Sequence, residues 1–171
     1  MSRFLHSSRI PAFLGILFAL ALPATAGAAE KGLSVDMTWG TTNADQDRTA
    51  QVLPASGSKW VRLTMEWRKL EPRRKGSYDS STLADYDRAV SLSRQAGQKV
   101  LIDLYSTPAW ASANGNTMAP PANNADYADV LRFLATRYRG QVEGWEIWNE
   151  PNTARFWSCL LYTSPSPRDR S

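Results

Sequence analysis

The run Trp145-Glu146-Ile147-Trp148-Asn149-Glu150-Pro151-Asn152 holds the residues best suited to chemistry in this chain. It opens as an apolar, β-prone stretch and closes with an amide, a carboxylate and a proline. Pro151 has no amide hydrogen to give a sheet ladder, so a strand must stop there. Asn149 and Glu150 are thereby placed at a strand's C-terminal tip. Two tryptophans just upstream predict an apolar, low-dielectric setting for Glu150. Such a setting raises a glutamate pKa and lets the group donate a proton near neutral pH. Trp145, Trp148 and the later Trp157 supply flat faces of the kind that stack on sugar rings. Glu146 shares a strand face with Glu150 but sits deeper, which predicts a structural ion pair.

The ends of the chain bound what else is available. Residues 1–28 read as a secretory signal. Arg3 and Arg9 charge its start, Phe13 to Leu22 form an apolar stretch, and small-residue cleavage sites follow at Ala24-Thr25-Ala26 and Ala26-Gly27-Ala28. The apolar stretch falls short of the ~20 residues that a spanning helix needs, so the expectation is an exported protein, secreted or periplasmic, without a stable membrane anchor. From Cys159 onward the chain shows neither helical nor strand period. It resembles translated read-through of a sequencing adapter, and residues 159–171 are expected to be a non-native tail.

Between those ends there is neither histidine nor cysteine, since His6 lies in the signal and Cys159 in the tail. Ser-His-Asp and Cys-His nucleophiles, disulfides and zinc sites built on His and Cys are excluded there. A metal-activated water is disfavoured for the same reason, and no cofactor motif is present. Carboxylates, Lys and Tyr remain for acid–base work. The formal charge of +4 also shrinks, because the signal carries two arginines and the tail two against one aspartate. The remaining +1 gives no case for a nucleic-acid partner, and the cluster Arg68-Lys69 with Arg73-Arg74-Lys75 reads as a solvated loop.

Stepping along the chain, strands are predicted at Leu33–Trp39, Trp60–Met65, Lys99–Leu104 and Val142–Trp148. The third is a nearly continuous apolar run, the pattern of a strand buried on both faces. Helices are predicted from about Asp45 to Leu53, from Ser81 to Gly97, and from Asn123 or Asn124 to Tyr138. In the last, Tyr127, Val130, Leu131, Leu134, Ala135 and Tyr138 follow the helical series. A long polar loop joins Ser106 to Asn124. The alternation implies a parallel sheet. No Gly-rich phosphate turn follows an early strand, which argues against a doubly wound fold. Trp39, Glu66, Trp110, Asn149 and Glu150 all fall at strand C-termini, where a (β/α)8 TIM barrel places its chemistry. The expected fold is therefore α/β, with about the first four βα units of such a barrel over residues 29–158. A barrel typically needs ~250 residues, so half of one is expected to be unstable alone.

The residues resemble a clan A glycoside hydrolase, a superfamily of retaining enzymes on the (β/α)8 barrel. The resemblance spans Gly32 to Trp157 and is carried by the run from Trp145 to Asn152 with Phe156-Trp157 after it. It is most similar to glycoside hydrolase family 39, which includes β-xylosidases and iduronidases. Val61-Arg62, Leu70-Glu71-Pro72 with Gly76 and Tyr78, and Thr107-Pro108-Ala109-Trp110 support it. The resemblance implies that Glu150 is the general acid/base and that Asn149 bonds the sugar 2-hydroxyl. It further implies that Arg62 orients the nucleophile and keeps it ionised, and that Trp110, Trp157 and Trp39 line sugar subsites. In this clan the nucleophilic Glu comes from the seventh strand. Glu66, Glu71 and Asp103 are candidates only by elimination. The expected function is retaining O-glycoside hydrolysis of plant or microbial poly- and oligosaccharides, with this chain an inactive fragment. The alternative is a non-catalytic secreted carbohydrate-binding barrel protein, for which the tryptophan content would serve equally well.

Overall fold

The computed structural model describes residues 29–158. The expectations of a leader over 1–28 and of a non-native run from Cys159 lie outside the described residues. Four strands, β1 (Gly32–Val35), β2 (Trp60–Glu66), β3 (Lys99–Tyr105) and β4 (Gly144–Ile147), form one sheet in chain order. Every pairing is parallel. The helices are α1 (Asn43–Val52), a four-residue α2 (Trp67–Leu70), α3 (Ser80–Gln95) and α4 (Asn124–Arg137).

Local chemistry sets the helix starts. Thr42 and Asp45 form a reciprocal capping box at α1, which therefore starts at Asn43, two residues before Asp45. Asp79 accepts from the Thr82 amide at 2.8 Å and starts α3 one residue ahead of the predicted Ser81. Asn123 caps α4 by accepting from the Ala125 amide at 3.0 Å. Gly97, with φ +76°, turns the chain out of α3 directly into β3.

Two strands are shorter than the sequence predicts. β1 stops at Val35 because the Asp36 carboxylate accepts from the Trp39 amide at 3.0 Å, folding the chain into a turn there. β4 stops at Ile147 because Trp148 adopts φ +73°. Helix α2 was not foreseen. It follows β2 without a break and buries Trp67 completely, a choice made by packing rather than by any turn residue.

The strands have two unlike faces. Val61, Leu63, Met65, Val100, Ile102 and Leu104 alternate along β2 and β3 and are all fully buried. They join one cluster with Tyr86, Ala89 and Val90 of α3 and with Tyr127, Val130 and Leu134 of α4. Each such side chain contributes roughly 1.5–3 kcal/mol on burial. The helices thus cover one face, which a doubly wound sheet would not allow. The opposite face carries Arg62, Thr64, Leu101, Asp103 and Glu146. Leu101 on that face is only partly buried, so β3 is not enclosed on both sides by the described residues.

Two tyrosines reach from the helices to the strand tips. The Tyr86 hydroxyl accepts from the Glu66 amide at 2.8 Å, and the Tyr127 hydroxyl donates to the Leu104 carbonyl at 2.5 Å. The C-terminal ends of β2 and β3 are held by these two hydrogen bonds.

Candidate active site

Among the described residues, three that are not glycine occupy left-handed backbone conformations: Ser106 (φ 71°), Trp148 (φ 73°) and Glu150 (φ 41°). All three lie at or just past the C-terminal ends of β3 and β4. Each costs of order 1–3 kcal/mol, so the strain is gathered at one end of the sheet. The Trp148 turn is the decisive one. It sends the indole to the helix side, where it meets Trp157 edge-on at 4.9 Å and packs near Tyr105 and Tyr127. The Trp148 indole N–H donates to the Phe156 carbonyl at 2.6 Å, fixing the return of the chain. Asn149, the next residue, is left facing Arg62.

Register builds the floor of the site. Thr64, Asp103 and Glu146 stand side by side on β2, β3 and β4. Arg62 rises from one row below, and its guanidinium reaches across all three strands. Its Nε donates to Glu146 Oε2 at 2.6 Å and its Nη2 to Glu146 Oε1 at 3.0 Å, a two-pronged pair. The same Nη2 donates to Asn149 Oδ1 at 2.9 Å and lies 3.0 Å from Asp103 Oδ2. Glu146, chiefly, holds the Arg62 pKa above its ordinary value.

Asp103 is the buried member of this cluster. Its residue surface is fully covered, and neither carboxylate oxygen accepts an aligned hydrogen bond, the Arg62 contact being an ion pair without that geometry. Burial pushes the Asp103 carboxyl up to about 7, against the opposing pull of Arg62 and with help from the neighbouring Glu146. A buried carboxyl that shares one cation with a second carboxylate takes up a proton more readily.

Beside the cluster lies a cavity of about 370 Å³, lined in part by Trp39, Arg62, Glu66, Tyr105, Asn149 and Arg155. A second, of about 320 Å³, shares Trp39, Thr64, Glu66 and Tyr105 with it and extends to Asp36 and Thr38. Trp39 is 59 % exposed and offers a ring to this cleft, with the Lys69 ammonium 5.7 Å from the ring centre.

Not every expected residue arrives there. Glu150 is exposed, so among the described residues it lacks the apolar enclosure that two upstream tryptophans predict. The reason is the Trp148 turn, which carries that ring away into the core. Trp110 lines neither cavity. It is edge-on to Trp67 at 5.7 Å and donates its indole N–H to the Glu71 carbonyl at 2.7 Å. Trp157 is likewise half-buried against Trp148. Glu71 is a core residue, accepting from the Trp67 indole at 2.6 Å and from the Gly76 amide. Glu66 is buried at the rim of the cleft with Arg68 at 2.7 Å. Among the described residues Arg62 makes its contacts within β2, β3 and β4 and the turn after β4; Glu146 stands in an ion pair as the sequence predicts, and the structure makes Arg62 its partner.

Tyr105 was missed. It closes β3 on the same face as Asp103, lines both cavities, and has its pKa pushed up to about 12 mainly by burial. Strand parity from Asp103 was the available signal.

The chain is similar to known proteins. The family model for Cellulase (glycosyl hydrolase family 5) matches residues 23–163. Among solved structures, a family 39 glycoside hydrolase from the gut symbiont Bacteroides cellulosilyticus WH2 is 26 % identical with a TM-score of 0.56, over 71 % of this chain and 24 % of that one. An endoglucanase from Pseudomonas stutzeri is 20 % identical, with a TM-score of 0.56, over 71 % of this chain and 42 % of its own. An exo-β-1,4-mannosidase from Opitutaceae bacterium strain TAV5 is 18 % identical, with a TM-score of 0.60, over 73 % and 26 %. This chain therefore spans roughly a quarter to two-fifths of the length of these structures. The matched family and these neighbours are clan A glycoside hydrolases, and the four-stranded sheet is part of a (β/α)8 barrel. Family 39 is represented among the neighbours, while the matching family model is that of family 5.

Proposed function

Given that this chain belongs to the cellulase family, glycosyl hydrolase family 5, we propose that it carries the acid/base part of a retaining O-glycoside hydrolase. The substrates are plant or microbial poly- and oligosaccharides. The reading rests on one observation above the others: Arg62 holds Asn149 at 2.9 Å, one residue from Glu150, at the C-terminal end of β4. Glu150 protonates the glycosidic oxygen as its bond to the anomeric carbon breaks, then takes a proton from the incoming water. Asn149 bonds the 2-hydroxyl of the sugar undergoing attack. The nucleophilic carboxylate is supplied from a seventh strand, beyond these four. Trp39 forms the sugar-stacking wall. Export by the leader places the enzyme outside the cytoplasm, where such glycans are met.

The test is kinetic. The full-length gene is recovered from the source DNA and expressed, and its Glu150→Ala variant is assayed on aryl glycosides. Substrates with poor leaving groups should lose about 10²–10⁴-fold in rate. With activated leaving groups, whose departure needs no acid, added azide should speed turnover of the variant by attacking the glycosyl-enzyme, and yield a glycosyl azide of retained configuration. Unchanged hydrolysis of poor-leaving-group substrates would remove Glu150 from the role. The 171-residue chain alone is expected to be inactive. Hydrolysis by that chain, lost on Glu150→Gln, would overturn the fragment reading.

A further inference from the structure

The guanidinium of Arg62 has only donors to offer. Its contact with Asn149 at 2.9 Å therefore requires the amide oxygen, and the Asn149 NH2 must point the other way, out of the cluster. Which atom of Asn149 meets a sugar is thus decided by where the guanidinium sits. Two carboxylates compete for that guanidinium from adjacent strands. Glu146 takes it in a two-pronged pair, and Asp103 lies 3.0 Å from the same Nη2 that serves Asn149. Glu146 is partly open to solvent, whereas Asp103 is fully covered and among the described residues meets only Arg62 and the neighbouring Thr64 hydroxyl of β2, neither in an aligned hydrogen bond.

We propose that Asp103 is a positioning residue: through Arg62 it sets the Asn149 amide with its oxygen inward, so that Asn149 meets the substrate as a hydrogen-bond donor. The substrate atom recognised there is consequently an acceptor oxygen. This rests on the reading of Asn149 as a sugar-binding group, but its test does not depend on catalysis.

The device is sensitive to protonation. Ionised Asp103 draws the guanidinium toward β3, and neutral Asp103 releases it to Glu146. The charged and titratable groups around Asp103 are Arg62 of β2, with Glu66 further up that strand, Tyr105 of β3 itself, Glu146 of β4 and Tyr127 of α4. Both tyrosines are pushed up by burial and stay neutral across the range in which Asp103 titrates.

The experiment is an NMR titration, between pH 5 and 9, of the isotope-labelled full-length protein used in the kinetic test. It follows the Asp103 carboxyl carbon, the Arg62 Nε–H and the Asn149 side-chain NH2. The expected result is one shared midpoint near 7 for all three signals. In Asp103→Asn, the Arg62 and Asn149 signals should lose that midpoint while the strand backbone spectrum is retained. An Asn149 signal insensitive to pH in the unsubstituted chain, or the same midpoint persisting in Asp103→Asn, would overturn the proposal. If Asp103→Asn does not fold, the unsubstituted chain decides alone: differing midpoints for Asp103 and Asn149 reject the linkage. The Glu150 assignment is judged by its own kinetics and can fail separately.

Discussion

Asp103 and Glu146 stand opposite each other in register on neighbouring parallel strands, and a single guanidinium, that of Arg62, serves them both. Two carboxylates against one cation cannot both be well compensated in a covered site. The fully buried one, Asp103, is pushed up to about 7 and gives way first. The same arginine reaches Asn149, so the charge balance of the floor is tied to the residue beside Glu150.

Arg62→Ala should destabilise the chain in a pH-dependent way. It strips the buried Asp103 of its counter-charge. A buried pair broken in this way typically loses about 3–5 kcal/mol, and the 24 % exposure of the Arg62 side chain reduces this to about 2 kcal/mol at pH 8. At pH 5.5 Asp103 is protonated and the loss should be smaller. Urea unfolding at the two pH values reads the difference, and equal losses would argue against an ionised Asp103.

Stability itself should fall as pH rises from about 4 to about 7. Asp103 binds its proton more tightly in the folded state than in the unfolded one. Its favourable contribution is complete below the unfolded value near 4 and is lost through the folded value near 7, by up to about 1.4 kcal/mol per pH unit. Asp79, Asp87 and Asp129 are held below their ordinary values by hydrogen bonds, so their contributions disappear only at more acidic pH. Asp103→Asn should flatten the slope between 4 and 7 in thermal unfolding. A parallel curve for that variant would assign the slope elsewhere.

Tyr127→Phe isolates one strand-tip bond. The Leu104 carbonyl also accepts from the Trp148 amide at 3.1 Å, so it keeps a partner when the hydroxyl is removed. The expected loss is about 1 kcal/mol, seen as a lower denaturant midpoint with an unchanged slope. A loss several times larger would mean that the hydroxyl also fixes the Trp148 turn.

Trp39→Ala and Trp110→Ala should separate a binding face from a core face. The exposed Trp39 should leave stability within about 0.5 kcal/mol while retention on immobilised cello- or manno-oligosaccharides falls. Trp110, edge-on to Trp67 and bonded to Glu71, should cost about 2–3 kcal/mol on truncation. Unfolding curves and affinity electrophoresis on the same two proteins check both halves, and a reversed pattern would exchange the roles.

Much of this was written in the chain's own periodicity. The β-branched and aromatic run Trp60–Met65, the nearly continuous apolar run Lys99–Leu104 and the helical series from Tyr127 to Tyr138 already point to strands alternating with helices and hence to a parallel sheet. Pro151 determines where the last strand must already have ended. The pairing of Glu146 was likewise legible, as a carboxylate set below a strand tip. What only the tertiary structure decided is which way the ends of the strands turn. A left-handed Trp148, a turn at Asp36 and the short α2 follow from packing across elements, and no local propensity specifies them. The exposure of Glu150, the burial of Trp110 and the sharing of one guanidinium by Asp103, Glu146 and Asn149 all depend on those turns. Residues 62, 103 and 146 lie far apart in the chain, and only strand register brings them into one row of charge.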